Sequence, residues 1–252
     1  MIRGYTPTIM TPAISVIIPC YNEAVLLPRL LKSIDTARRA FSDGPEGVEV
    51  IVSDNASTDD TASIAVAHGC RAVRSTIRRI GAVRNAGAAA ARGAIVAFID
   101  ADSQVHPDTF NVIAAFMRRP DVVGGTTGAT MERWSAGIAL TYAMFLPLVW
   151  ATRMDIGVVF CRREDFEAAG GYDESLKFAE DVKFLFALRR IGRVRGSRLV
   201  RARAAKVIAS TRKFDQFGDW HYLTLLWRGP WYLISRHRRD AFADQYWYKS
   251  GR

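Results

Sequence analysis

Cysteine is scarce: Cys20, Cys70 and Cys161 are the only three in 252 residues, odd in number and far apart. That excludes a disulfide framework and a zinc cluster, and it fits a reducing cytosol. No low-complexity block, internal repeat or Pro/Ser-rich linker divides the chain. With 49% apolar residues, disorder is not the default. A long apolar run is also missing. The longest, Ala136 to Thr152, contains Thr141, Tyr142 and Pro147 and is too short to span a bilayer comfortably. The first residues, Met1-Ile-Arg-Gly-Tyr-Thr-Pro7, lack the apolar core of a signal peptide. The expectation is a cytoplasmic protein, soluble or peripheral at the inner membrane face, with one large core and an appendage.

Acidic residues are thin in the C-terminal quarter. From Arg189 onward come Arg190, Arg193, Arg195, Arg198, Arg201, Arg203, Lys206, Arg212, Lys213, Arg228, Arg236, Arg238 and Arg239, opposed by Asp215, Asp219, Asp240 and Asp244. This skews a formal charge of +10 toward one end. Interleaved Trp220, Trp227, Trp231, Tyr232, Tyr246 and Trp247 suit an anionic lipid surface, a phosphorylated substrate or nucleic acid. They equally suit a solvated helical face with ordinary aromatic anchors. The chain carries no helix-turn-helix, RNP or zinc signature, so nucleic acid is not an expected partner.

The apolar pattern alternates in type. Ile14-Ser-Val-Ile-Ile-Pro19 reads as a first strand, residues 24–40 as a helix through Leu26, Leu27, Leu30, Leu31 and Ile34, and Val48-Glu-Val-Ile-Val-Ser53 as a second strand. Ser57-Thr-Asp-Asp60 resembles a helix start with a hydroxyl cap. Arg71-Ala-Val-Arg74 is a short third strand, residues 80–91 an alanine-rich helix, and residues 94–99 a fourth strand. This alternation implies an α/β protein with a mostly parallel central sheet and helices on both faces. Further on, residues 122–128 read as a strand entering a glycine-rich turn, 134–150 as an apolar helix, 156–161 as a strand, 180–190 as a helix closed by Gly192, and 197–210 as room for strands.

Polar residues gather where these strands end. The fourth stops at Asp100-Ala-Asp102-Ser103. In open α/β sheets ligands bind beyond the carboxyl ends of strands. Two carboxylates there suit a hard divalent cation with phosphate oxygens; an Asp/Ser turn capping the next helix explains them as well. Pro19-Cys-Tyr21-Asn-Glu23 and Ser53-Asp54-Asn55 end the first and second strands in the same manner. Arg78, Arg79, Arg84 and Asn85 precede the fourth strand, where arginines suit a diphosphate.

Taken together and in order, residues 14–23, 52–60, Arg84-Asn-Ala-Gly87 with Ala91-Arg-Gly93, 98–102, and Gly170-Gly-Tyr-Asp-Glu174 with Ala179-Glu-Asp-Val182 resemble the inverting family 2 glycosyltransferases. The resemblance covers residues 13–215. It implies a GT-A fold, with a Rossmann-like nucleotide-binding half (about 13–103) joined to an acceptor half (about 104–215), leaving 216–252 as a basic, aromatic-rich extension. By the same resemblance, Pro19, Tyr21 and Glu23 line the nucleotide pocket and Asp54 contacts the base. Asn55 stands where many relatives have a second aspartate. Asp100 contacts ribose or metal beside Ala101, Asp102 ligates Mn²⁺ or Mg²⁺, and Asp181 of the Glu180-Asp181 pair is the general base, with Glu180 and Asp155 as the other candidates. Arg79 and Arg84 approach the diphosphate.

Many relatives carry a late histidine that completes the metal shell; residues 201–214 contain none. Ser210-Thr-Arg212-Lys213 stands about there and resembles a Ser-x-Arg-Arg pattern, which brings Arg212 to the diphosphate. The implied partners are a nucleoside-diphosphate sugar, UDP before GDP, and a hydroxyl acceptor, lipid-linked if the apolar helix 134–150 and the basic end meet a membrane. The competing account makes that helix core or a homodimer seam. A non-catalytic nucleotide-sugar-binding scaffold of the same fold is the alternative to an enzyme.

Overall fold

The computed structural model describes residues 11–177 and 179–224. A seven-stranded sheet is built from β1 (Ile14–Cys20), β2 (Val48–Asp54), β3 (Arg71–Arg74), β4 (Ile95–Phe98), β5 (Val122–Thr126), β7 (Val159–Arg162) and β8 (Arg198–Arg201), in the order β3-β2-β1-β4-β7-β5-β8. β6 (Ala129–Met131) and β9 (Val207–Ala209) form a parallel pair beside it. The expected parallel half is present: β1 runs parallel to β2 and β4, and β2 to β3. β7, by contrast, is antiparallel to both β4 and β5.

The sheet is covered on both faces because its strands are apolar on both. In β1, Ile14, Val16, Ile18 and Cys20 join one core cluster while Ile17 joins the other, the two-residue period of a doubly buried strand. The first cluster packs against α1 (Leu27–Arg39) and α4 (Thr109–Met117), through Leu27, Leu30, Leu31, Ile34, Phe110 and Ile113. The second joins α6 (Arg163–Ala168) and α7 (Glu180–Val194) to the sheet. Here Phe98 of β4 stacks with Phe166, Tyr172 and Phe184 at centroid distances of 5.0 to 6.4 Å. α3 (Ile80–Ala89) lies close on β1: a Cβ on Gly87 would fall 2.5 Å from Ile17 Cγ2. Only glycine permits that approach.

Three local expectations need correction. Ser57 does not cap a helix. Its Oγ accepts from Asn22 N at 2.9 Å, and α2 (Thr61–Ala67) begins later, where Asp59 accepts from Thr61 N. α7 does not close at Gly192 but runs on to Val194, and Gly192 instead lets the Ser197 carbonyl approach, 2.8 Å from where a Cβ would stand. α5 (Ala136–Thr152), the apolar helix, is not core. Only Gly137, Ile138 and Thr141 of it are buried, whereas Leu148 is 60% and Trp150 78% exposed. Among the described residues no helix is long and apolar enough to cross a membrane. Most of the expected extension, from Leu225 onward, lies outside the described residues.

Candidate active site

The carboxyl ends of β1, β2 and β4 open into a cavity of about 270 Å³. β1 delivers Pro19, Cys20 and Tyr21; β2 delivers Asn55; β4 delivers Asp100. α3 adds Ile80, Val83 and Arg84, and the start of α7 adds Ala179, Glu180 and Asp181. Side chains separated by more than 160 positions in the chain thus share one wall. The Phe98–Tyr172–Phe184 cluster holds α7 against the sheet, with Tyr172 and Phe184 centroids 4.6 Å apart. This packing fixes where the first turn of α7 stands.

Arg84 is the hinge pin of the site. Its Nη1 donates to Glu180 Oε1 at 2.5 Å, its Nη2 donates to Asp100 Oδ1 at 2.9 Å, and its Cζ lies 5.1 Å from the centroid of the Tyr172 ring. Arg84 and Glu180 are both buried. Burial pushes the Glu180 carboxyl upward, against the pull of Arg84. Burial also opposes the charge on Arg84, but the surrounding Asp100, Tyr172, Glu180 and Asp181 more than compensate and raise its pKa. The guanidinium expected at a diphosphate therefore spans two carboxylates, one from each half of the site. Next to it, Asn85 clamps the glycine-rich turn, donating to the Tyr172 carbonyl and accepting from Tyr172 N, both at 2.9 Å.

In the same cavity, Asn55 Oδ1 is buried with no hydrogen-bond partner among the described residues. An unsatisfied buried amide oxygen costs on the order of 1–3 kcal/mol unless a ligand satisfies it. Asp54, by contrast, turns to its own loop, accepting from Ser57 N at 3.3 Å, and is not part of the cavity lining. Arg78 rather than Arg79 lines the wall: its Nη2 donates to the Tyr21 hydroxyl at 3.0 Å, and its Cζ lies 4.9 Å from the Tyr21 ring centroid. Arg79 is the extended N-cap of α3, with φ −144°, and along extended backbone consecutive side chains point oppositely. Asn22, Ala56 and Ala179 have φ of 52°, 51° and 58°, left-handed conformations that cost non-glycine residues about 1–2 kcal/mol each. All three sit in the loops and helix start around this cavity, and such strain concentrates at functional sites.

Asp102 and Glu23 form a second, adjoining group. Arg212 donates through Nη1 and Nη2 to the two Glu23 oxygens at 3.0 and 3.2 Å, and through Nη2 to Asp102 Oδ2 at 3.2 Å. Glu23 is buried and holds Arg212 instead of lining the cavity. Ala101 is buried between the two aspartates. Among the described residues no group of three or more His, Cys, Asp or Glu is placed to hold a metal. The carboxylates present suit the sparser arrangement, in which one or two of them hold a hard cation and diphosphate oxygens and water complete its shell. The charges agree. Arg84 faces Asp100 and Glu180, and Arg212 faces Glu23 and Asp102, so each guanidinium is outnumbered by carboxylates. Asp155, the outlying base candidate, does not line this cavity, and its Oδ2 takes both Nε and Nη2 of Arg201, at 3.1 and 2.5 Å.

Lys177 and Ile80 complete the lining; neither belongs to a motif, and no sequence signal marked them.

Comparison with known proteins places this geometry. An uncharacterized glycosyltransferase of Mycobacterium tuberculosis is 37% identical over 114 residues, 45% of this chain and 48% of that one. The chain thus spans about half the length of the curated relatives it matches. S. aureus TarS 1-349, solved in complex with UDP-GlcNAc, superposes with a TM-score of 0.61 at 24% identity, covering 79% of this chain and 58% of that one. The mannosyltransferase PcManGT from Pyrobaculum calidifontis, solved with GDP-Man and Mn²⁺, gives 0.59 at 24% identity, covering 76% and 55%. Both likenesses establish the GT-A fold. The sequence profile described as Glycosyl transferase family 2 matches residues 15–166, the stretch that supplies the strand-end aspartates, Arg84 and Asn55, and on that match the chain belongs to glycosyl transferase family 2.

Proposed function

We propose that the protein transfers a sugar from a nucleoside-diphosphate sugar to a hydroxyl acceptor with inversion at the anomeric carbon. The observation that carries the reading is the single cavity in which Asn55 and Asp100 of the nucleotide-binding half (about 13–103) face Glu180 and Asp181 of the acceptor half (about 104–215). The base would lie along Pro19 and Tyr21 under Arg78. The unpartnered Asn55 Oδ1 accepts an N–H, and a uracil offers one at N3 flanked by carbonyls that the Asn55 amide can serve. Guanine N1–H would meet the same acceptor, so Asn55 accounts for a base N–H of either kind; UDP is the donor base proposed, and UDP-GlcNAc in the TarS complex supports it.

Asp102, with Asp100 beside it, would hold a divalent ion, Mn²⁺ or Mg²⁺; the Mn²⁺ of the mannosyltransferase complex supports this assignment. When bound, such an ion neutralises charge developing on the departing diphosphate. Arg212, already on Asp102, adds positive charge at the same edge, where residues 201–214 offer no histidine.

Asp181 lines the cavity at the start of α7, its Oδ1 accepting from Val182 N at 2.8 Å. It takes the proton of the acceptor hydroxyl as the oxygen bonds to the anomeric carbon, while the bond to the β-phosphate oxygen breaks on the opposite face. Glu180, paired with Arg84, positions α7 relative to Asp100 and leaves the base role to Asp181.

The test is donor binding and turnover in the wild type and in Asp181→Asn. Mn²⁺-dependent UDP binding should be retained while transfer or slow hydrolysis of the donor falls by roughly 10²–10⁴-fold. Near-normal turnover in the variant would refute Asp181 as the base. A wild type that binds nucleotide but never turns over donor would favour the scaffold.

A further inference from the structure

Every residue of α5 from Ala136 to Thr152 is uncharged, and the helix is apolar on all sides. A helix of that kind is normally covered all round. Among the described residues this one is covered on one side only. Its inner residues Gly137, Ile138 and Thr141 are buried, while Leu140, Met144, Phe145, Leu146, Leu148 and Trp150 are exposed, with Trp134 and Ile156 exposed beside its two ends. Monomers rarely leave a contiguous apolar patch of this extent to water.

We infer that α5 is a lipid-docking surface, lying flat in the headgroup region of an anionic membrane. Three features favour lipid over a second copy of the chain. The first is composition along the axis. Trp134 and Trp150 flank the apolar stretch and are both exposed, and the amphipathic indole ring settles at headgroup level. The helix is about 25 Å long at 1.5 Å per residue and rests on its own protein body, so it lies along the interface and does not span.

The second feature is charge. Asp155, which lines the cleft beside the patch, is neutralised by Arg201, and the acidic pair Asp215 and Asp219 is occupied by Arg133. Exposed Arg153 caps the end of α5, and exposed Lys206 lies beside Gly128 and Asp155. The chain as a whole carries a formal +10, complementary to an anionic leaflet. The third is an apolar cleft of about 320 Å³ that continues the patch inward between Ile138, Phe145, Val149, Phe214 and Tyr222. A seam between two copies needs a fixed register, and the exposed side of α5 offers no charged group to set one.

Membrane docking through α5 is independent of the transfer chemistry and is measured without it. The full chain is mixed with vesicles of phosphatidylcholine, alone or with roughly a third phosphatidylglycerol, and floated on a density gradient. Wild type should float with the anionic vesicles, and its binding should weaken at about 0.5 M NaCl, where screening is short-ranged. The exposed-site double variant Leu148→Glu, Trp150→Glu should lose vesicle binding by about tenfold or more, with an unchanged thermal unfolding midpoint showing that it is folded. Failure of the wild type to float at low salt overturns the inference. So does a double variant that floats as well as wild type, which would place the contact elsewhere. A wild type that sediments as a dimer without binding vesicles, and that the same substitutions render monomeric, would assign the face to a second copy.

Discussion

Replacing Arg84 with methionine keeps most of the side-chain volume and removes the charge that Glu180 faces. Both groups are buried and joined at 2.5 Å, so the variant leaves a carboxylate in the interior with its partner gone. Breaking a buried pair in this way costs about 3–5 kcal/mol, which for a chain of this size lowers the unfolding midpoint by roughly 6–20 °C. The exposed contact with Asp100, whose side chain is 58% accessible, adds little to that.

The loss should depend on pH in a defined direction. Glu180 is held above its ordinary value of 4.5 by burial, with Arg84 pulling the other way. Without Arg84 the folded-state pKa rises further. A carboxyl whose folded pKa exceeds its unfolded one stabilises the fold while protonated, and that stability is lost as pH rises through the folded pKa. The midpoint difference between wild type and Arg84→Met should therefore be larger at pH 8 than at pH 5. Adding Glu180→Leu to Arg84→Met removes the stranded charge and should restore much of the midpoint. Differential scanning calorimetry across pH reads all of this. A midpoint within 2 °C of wild type at pH 8 (below roughly 1 kcal/mol), or a double variant no more stable than the single, would refute the pair as the element that ties α7 to α3.

Asp102→Ala should abolish Mn²⁺-dependent nucleotide binding, measured calorimetrically, while thermal unfolding shows an intact fold; unchanged Mn²⁺-dependent UDP or GDP affinity would remove Asp102 from the metal assignment. Gly87→Ala puts a methyl 2.5 Å from Ile17 Cγ2, an overpacking costing about 1–3 kcal/mol; a midpoint as high as wild type would show that α3 can shift on β1 without penalty. Asn55→Leu fills the same space without an amide and should weaken UDP binding about tenfold, the worth of one hydrogen bond to a buried acceptor. Equal affinity in that variant would move base recognition elsewhere.

Much of the N-terminal part of the sheet was legible because its information is local. Strands β1, β2 and β4 announce themselves by runs rich in branched apolar residues, interrupted only by Ser15, Glu49 and Ser53, and each carries a proline or an aspartate at or just beyond its carboxyl end. Strand β3, mostly exposed at the sheet edge, was readable because Arg71-Ala-Val-Arg74 stands between two helical patterns. Direction was not readable in the other half. β7 carries the same apolar signature as its neighbours, yet runs antiparallel to both. A strand's periodicity is the same whichever way it points.

The residue types of the site were likewise in the sequence, and their partners were not. Arginines near Asp100 suggested a diphosphate contact; only the fold brings Glu180, 96 positions away, within 2.5 Å of Arg84, and only the extended N-cap turns Arg79 away and leaves Arg78 in the wall. Glu23 and Arg212, 189 positions apart, became a bidentate pair for the same reason. The uncharged stretch at α5 read equally as core, seam or interface, because composition records how apolar a helix is and not what covers it. Strand-end chemistry is set by the residues themselves, so the sequence determined it; pairing and exposure belong to contacts between distant segments, and these the tertiary structure alone decided.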